Sequence, residues 1–218
     1  GLIIADPSIH PRTLTRKRVS LPFWTDWKQL LPTIQPNPVL GLIGNNYERD
    51  DQFKKYYFGV GPTLRDAGIQ VTMHGNWLQR SPERSPPEML IRSNPTIAFG
   101  HRMGFFDSMA LMNTFVATTH VSKPAYYGSG FISPRYLEAL ACNCPALVPV
   151  EMATTTMGDL LGPEWTVDET SLITRVMKLA KMSLDERKAV IESQRAELMK
   201  LSNFSVANAV HLIETTAV

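Results

Sequence analysis

The chain has 218 residues, 44% of them hydrophobic and 19% charged. That balance fits a globular protein with one sizeable core and excludes a disordered polyelectrolyte. With 22 Lys and Arg against 20 Asp and Glu, the net charge is only +2, so any nucleic-acid contact has to come from a local patch rather than from the surface as a whole.

The opening "GLIIADPSIHPR" lacks the basic leader and apolar run of a signal peptide. No stretch approaches the roughly 20 apolar residues of a membrane-spanning helix, so the expectation is a cytoplasmic protein without membrane contact. "LIIA" is strand-like, and its start at Gly1 without Met reads as a tag scar or as a piece of a longer protein. Prolines at 7, 11, 22, 32, 36 and 38 exclude a long helix. Residues 1–38 therefore read as a linker or the trailing part of a preceding domain. Within them, "HPRTLTRKR" at 10–18 packs five potential cations. It is either a solvated face or a contact for a phosphate backbone. "FWTDW" is aromatic enough to dock a partner domain.

From Val39 the texture changes. "VLGLIG" reads as a strand buried on both faces and ending at Gly44. "RDDQFKKYYFGVGPTLRDAG" reads as mostly helical, "IQVTMHG" as a strand and "SPERSPPEMLIRS" as a Pro-rich connection turning helical late. "PTIAFG" is a further strand; "FDSMALMNTF" has helical spacing behind an Asp-Ser cap; "VATTHVS" is β-branched and strand-like. A helix from about Pro134 and the strand "PALVP" follow. Ser183 and Glu186 form a capping box that opens a helix to about Ser202, with Val190, Ile191, Leu198 and Met199 as its apolar stripe. "FSVANAVHLIE" adds a last short helix. This alternation predicts an α/β fold: a Rossmann-like parallel sheet flanked by helices, over 39–218, with a helical tail. Cys142 and Cys144 stand too close together for a loop-closing bridge and have no nearby His to complete a zinc site. They read as small core residues, and no metal site is expected.

"SPRYLEALACNCPALVP" at 133–149 carries one guanidinium and one carboxylate in an apolar run. Spaced three apart, Arg135 and Glu138 share a helix face, while Leu137, Leu140 and Ala141 share the other. Ser133 fits the cap and Pro134 the first turn. Free N–H groups beside Arg135 favour a phosphate, and a carboxylate one turn inside suits vicinal hydroxyls such as those of a ribose. An intrahelical ion pair is the alternative that spacing leaves open.

"YYGSGFISPRYLEALACNCPALVP" resembles the nucleotide-sugar signature of GT-B glycosyltransferases. "LEALACNCP" at 137–145 matches most closely, with Asn143 in place of the usual Gly. "TIAFGHRMGFFDSMALMNTFVATTHVS" upstream and "SLDERKAVIESQRAELMKLSNFSVANAV" downstream extend the resemblance over roughly 39–214. It implies the C-terminal half of that fold, which binds the sugar-nucleotide substrate. It also implies that Glu138 holds the ribose, that Arg135 meets the diphosphate and that Phe131, Ile132 and Ser133 form the loop before it. Gly44 would make the turn after the first strand, with Arg49, and less surely Lys54, as a second cation. Asn45 and Asn46 are amide donors or caps. His74, Trp77, His101 and Arg102 end the next two strands, where open α/β sheets bind ligands. There the resemblance puts His101 and Arg102 at the nucleobase, and Trp77 is either a stacking surface or core. Lys123, Tyr126 and Tyr127 precede the signature near the sugar, and His120 fills the strand edge. Many members carry a second Glu where this chain has Gly130, which leaves retention or inversion open.

The resemblance implies a hexosyltransferase that uses a nucleoside-diphosphate sugar, UDP-linked for preference, without a cofactor or metal. Arg135 and Arg49 would be its charge-neutralising catalytic groups, and an N-terminal Rossmann-like half its partner. "GNNYERD" with "SPRYLEALAC" resembles glycosyltransferases of bacteriophages, some of which modify DNA bases, and a DNA acceptor would give segment 10–18 a role. A binding module without turnover and a nucleotide-sugar epimerase are the alternatives.

Overall fold

The computed structural model describes residues 4–6, 18–20, 31–45, 49–77, 94–122, 127, 134–153 and 162–198. Two short strands, β1 (Ile4–Asp6) and β2 (Arg18–Ser20), pair in parallel as a sheet of their own. The five expected strands then follow in turn, β3 (Asn37–Ile43), β4 (Gln70–His74), β5 (Ile97–Gly100), β6 (Phe115–Thr119) and β7 (Ala146–Pro149), and a short sixth, β8 (Thr166–Val167), was not read from the sequence. β3 begins two residues before the boundary read from sequence, because Asn37 N–H already donates to Thr114 O at 2.9 Å.

These six strands form one sheet in the order β5-β4-β3-β6-β7-β8, and each neighbouring pair is parallel. The chain builds outward from β3 in one direction, then crosses back and builds from β6 in the other. This is the doubly wound arrangement, whose ligand crevice lies at the carboxyl ends of the two strands where the order reverses. Covered on both faces, β6 and β7 are buried along their whole length and β3 from Leu40 to Ile43.

Helices cover both faces. On one, α1 (Asp50–Phe53), its π-helical continuation (Lys54–Phe58) and α2 (Gly61–Asp66) pack near α6 (Glu169–Ala180). On the other, α3 (Phe105–Asn113) packs on α4 (Pro134–Ala141). The short α5 (Val150–Ala153) follows β7, and α7 runs over 184–198. The expected capping box is present: Ser183 N–H and Oγ–H both donate to Glu186 Oε2, at 2.8 and 2.7 Å. A second box, between Asp168 and Ser171, starts α6. The Asp-Ser cap expected for α3 is not formed. That helix begins at Phe105 with Gly104 as its N-cap, which puts Asp107 and Ser108 inside its first turn.

Cys142 and Cys144 are buried free thiols, and burial pushes them up to about 11 and 12. Asn143 between them has φ 57, while Cys144 N–H donates to Ala139 O at 2.9 Å. This is a Schellman-type ending for α4, whose left-handed position takes Gly or Asn, so the departure from the usual Gly costs the helix little. The buried Arg187 of α7 donates to Phe115 O (2.7 Å), Val116 O (3.0 Å) and Asn143 O (2.9 Å), which fastens α7 to the amino end of β6. Gln194 brackets Ala146 by accepting from its N–H at 3.1 Å and donating to its carbonyl. The proposed connection at 81–93, the residues beyond 198, the last helix and Met199 lie outside the described residues.

Candidate functional site

β3 and β6 are held in register near Asn37↔Phe115 and Leu40↔Ala117, with an irregularity between the two pairs. Gly41 is where the strands come closest to a side chain: a Cβ there would collide with the Phe115 ring. Toward the carboxyl end a buried side chain bridges the two strands. Tyr57 Oη accepts from Thr119 N–H at 2.9 Å and lies 3.2 Å from Thr119 O and 3.3 Å from Gly41 O. A crevice lies at the carboxyl ends of the two strands.

That crevice is lined by Ile43 of β3, Arg49, Thr119 and His120 at the end of β6, and Arg135 and Tyr136 at the start of α4. Its volume is about 20 Å³, room for roughly one water molecule. Sites for nucleotide-sized ligands run to several hundred Å³, so the crevice formed by the described residues is far smaller than such a site.

Arg49 spans the crevice, its Nη1–H donating to Val121 O at 3.2 Å and its Nη2–H to Asn45 O. Its guanidinium carbon also lies 5.4 Å from the Phe53 ring centre. Arg135 lines the opposite wall and pairs with Glu138, Nη1 to Oε2 at 2.6 Å. Arg135 is about half exposed and Glu138 is 22% exposed, so the tip of α4 is not sealed in the core. The pair is thus an intrahelical ion pair whose guanidinium stands at the crevice. His120 is buried at the floor, 5% exposed, its Nε2 3.4 Å from Ser122 Oγ. Burial, reinforced by the nearby Arg49 charge, lowers it to about 4, so it is neutral at pH 7 and fills the strand edge.

Other sequence-derived candidates serve the scaffold. Trp77 is 3% exposed. Its Nε1–H donates to Gly44 O at 2.9 Å, and Phe53 and Phe99 pack against it with ring centres 4.9 and 5.9 Å away. Its ring is therefore core, which corrects the stacking-surface reading. Asn45 Oδ1 accepts from Asn76 N–H at 2.8 Å and ties the turn after β3 to the turn after β4. Gly44 has room for a Cβ. The glycine the turn demands is Gly75, at φ 153, where a Cβ would collide with Gly44 O. His74 is half-buried and lowered by that burial; its ring stacks on Phe115 at 6.5 Å. Lys54 pairs with Asp51 at 3.4 Å on the exposed face of the helix. His101 and Arg102 are exposed at the end of β5. Tyr127 is buried, its hydroxyl accepting from Ser122 N–H at 3.0 Å. Asn46, Lys123, Tyr126, Gly130, Phe131, Ile132, Ser133 and all of segment 10–18 except Arg18 lie outside the described residues.

The sequence reading missed one polar cluster. Glu151, immediately after β7, accepts from Lys55 Nζ and Tyr56 Oη, each at 2.6 Å, and Lys55 also lies 3.6 Å from Glu169. Burial alone would raise the Glu151 carboxyl, but these two hydrogen bonds outweigh it and hold it below the usual carboxylate range. The carboxylate in "VPVEM", directly behind a buried strand, was the available signal. Among the described residues no group of three His, Cys, Asp or Glu side chains is arranged to hold a metal ion, and no helix is long and apolar enough to cross a membrane.

The parallel sheet, whose order reverses between β3 and β6, has the Rossmann-like architecture of one half of the GT-B fold. No protein-family model matches the sequence, and a search of curated proteins found no match. Among solved structures, the bacteriophage T4 β-glucosyltransferase shares the fold with a TM-score of 0.58 and 18% identity, covering 83% of this chain and 52% of that one. The phage enzyme has been solved with its UDP-glucose substrate and with UDP and Mn²⁺, and is a DNA-modifying enzyme. A UDP-forming α,α-trehalose-phosphate synthase from Burkholderia xenovorans matches with a TM-score of 0.53 and 12% identity, over 80% of this chain and 43% of that one. An O-GlcNAc transferase from Thermobaculum terrenum matches with a TM-score of 0.51 and 14% identity, over 81% and 34%. The chain thus spans about half the length of the phage enzyme and less of the other two.

Proposed function

We propose that this chain is the half of a glycosyltransferase that binds a nucleoside-diphosphate sugar, UDP-linked, and that the complete enzyme transfers the sugar to a base in DNA. The observation that carries the reading is the pair of guanidiniums, Arg49 and Arg135, lining one crevice at the strand reversal, with Glu138 one helical turn behind. In this reading the diphosphate lies across the crevice mouth, over the first turn of α4, and Glu138 accepts from the ribose hydroxyls. As the bond between sugar and phosphate breaks, negative charge grows on the departing diphosphate. The two guanidiniums neutralise it and lower the barrier. They are the catalytic groups of this half; the group that takes the acceptor's proton belongs to the facing half.

The Arg135–Glu138 ion pair is no obstacle. A helix-surface pair three residues apart contributes about 0.2–0.5 kcal/mol, whereas each hydrogen bond from a charged group to the ligand is worth about 1.5–3 kcal/mol. The similarity of fold to UDP-glucose-using enzymes supports the choice of uridine diphosphate, and the DNA-modifying phage enzyme supports the acceptor class.

Calorimetry with UDP and UDP-glucose tests the site. Glu138→Ala is expected to weaken binding on the order of ten- to a hundredfold, as loss of a charged hydrogen bond requires. Because guanidiniums carry the charge, EDTA is expected to leave UDP affinity unchanged. Equal affinity of wild type and Glu138→Ala would refute the assignment, and an absolute need for Mn²⁺ would refute the metal-free part of it.

A further inference from the structure

The helix that follows β3 is irregular next to the crevice. α1 is a four-residue turn that runs on into the π-helical stretch Lys54–Phe58, where Gly59 N–H donates to Lys54 O at 2.7 Å. Such an i→i+5 turn is rare, and it appears mostly as a single turn, frequently at a functional site. Here three consecutive side chains of the turn find partners on the sheet. Tyr57 reaches β3 and β6 through Gly41 O and Thr119 N–H. Lys55 and Tyr56 both reach the carboxylate of Glu151, in the first turn of α5 directly behind β7. Lys55 Nζ also lies 5.1 Å from the Tyr56 ring centre and 3.6 Å from Glu169 at the start of α6.

The Glu151 contacts are unlike a solvated surface pair. Both are short bonds of 2.6 Å to an ionised acceptor, the strong kind. Lys55 and Glu151 are only 28% and 33% exposed, and Tyr56 is fully buried. The same helix carries Arg49 at its other end. Arg49 is the N-cap of α1, its carbonyl accepting from Phe53 N–H at 3.0 Å and its guanidinium lying over the Phe53 ring. Phe53 packs edge-on against Tyr57, ring centres 6.4 Å apart. A hydrogen-bonded helical segment carries a shift at one end to the other, so the anchor at Lys55 and Tyr56 sets where Arg49 stands.

We infer that Glu151 is a positioning residue of the crevice. By taking the Lys55 ammonium and the Tyr56 hydroxyl together, its carboxylate fixes the π-helical turn, and the turn holds the Arg49 guanidinium across the crevice to Val121 O. The consequence for ligand binding rests on the reading of Arg49 as a diphosphate contact; the positioning itself does not.

His120 reports where Arg49 stands. Ser122 Oγ and the Tyr136 ring lie against it, and the nearby Arg49 charge helps to keep it neutral. The test follows the His120 ring by NMR titration in the full chain, with UDP affinity measured by calorimetry. It compares Glu151→Ala, Tyr56→Phe and Arg49→Ala, and each of the first two combined with Arg49→Ala. Tyr56→Phe removes a single oxygen and keeps the test open should Glu151→Ala fail to fold. Arg49→Ala should move the His120 titration upward and weaken UDP on the order of ten- to a hundredfold. Glu151→Ala and Tyr56→Phe should each reproduce part of both changes, and add nothing in the Arg49→Ala background. The direction is diagnostic, because loss of a carboxylate by itself moves a nearby histidine downward. The inference is overturned if His120 stays in place in both variants, or if Arg49→Ala leaves it in place too. It is equally overturned if Glu151→Ala shifts His120 as far in the Arg49→Ala background as in wild type, the crevice then having only become wetter. A wild type that does not bind UDP, with His120 shifted by Glu151→Ala only while Arg49 is present, refutes the sugar-nucleotide reading and leaves the positioning role standing.

Discussion

Removing a single oxygen at Tyr57 tests how the crevice is built. Its hydroxyl accepts from Thr119 N–H and lies within reach of two carbonyls, Thr119 O at 3.2 Å and Gly41 O at 3.3 Å. Tyr57 is fully buried, so Tyr57→Phe leaves these backbone groups without their partner. A buried orphaned donor costs about 1–3 kcal/mol, and the lost hydroxyl adds no apolar gain of similar size. With a urea slope of roughly 2 kcal/mol per molar for a domain of this size, the unfolding midpoint should fall by about 0.5–1.5 M. The hydroxyl also carries a pH signature. Burial raises it to about 12, the hydrogen bonds to Thr118 and Thr119 opposing, against an unfolded value near 10. An acid raised on folding contributes stability that is complete below the unfolded value and is lost as pH climbs through the folded one. The gap between wild type and Tyr57→Phe should therefore be widest below pH 10 and shrink between pH 10 and 12. A variant with an unchanged midpoint would refute the bridge between β3 and β6; a gap constant across that window would refute the buried hydroxyl as its cause.

Two further outcomes follow from buried polar groups. His120 is lowered to about 4 by burial and then by Arg49. A base lowered on folding contributes stability that is present above about pH 6.5 and is lost as pH falls toward 4, so wild type should weaken over that window more than His120→Gln in urea titrations at stepped pH; parallel curves would refute it. Arg187→Met should destabilise by about 3 kcal/mol, since three backbone carbonyls lose their donor inside the core. A loss below about 1 kcal/mol in the same denaturation assay would show that α7 is held by its apolar contacts alone.

Much of the architecture was legible in local sequence. Apolar runs closed by Gly or Pro marked β3, β4, β5 and β7, and Ser183 with Glu186 marked the start of α7, because strand burial and helix capping are set by residues adjacent in the chain. The spacing of Arg135 and Glu138 put them on one helix face for the same reason. What the sequence left open was whether that face looks onto a crevice. Strand order, 72 residues of separation between Arg49 and the carbonyl of Val121 and the insertion of the Tyr57 hydroxyl between β3 and β6 decided that. Trp77 shows the limit most plainly. A strand-end tryptophan has the same local signature whether it stacks on a ligand or packs inward, and only the approach of Phe53 and Phe99 and the carbonyl of Gly44 settled it as core. Likewise Lys55 and Glu151, 96 residues apart, carry no mutual signal along the chain. The sequence by itself determined most of the elements and the face each one buries, since these depend on near-neighbour periodicity, while β8 and α6 were not read from it. The tertiary structure alone decided which charges meet at the strand reversal and which aromatic rings pack inward, since both depend on contacts between segments far apart in the chain.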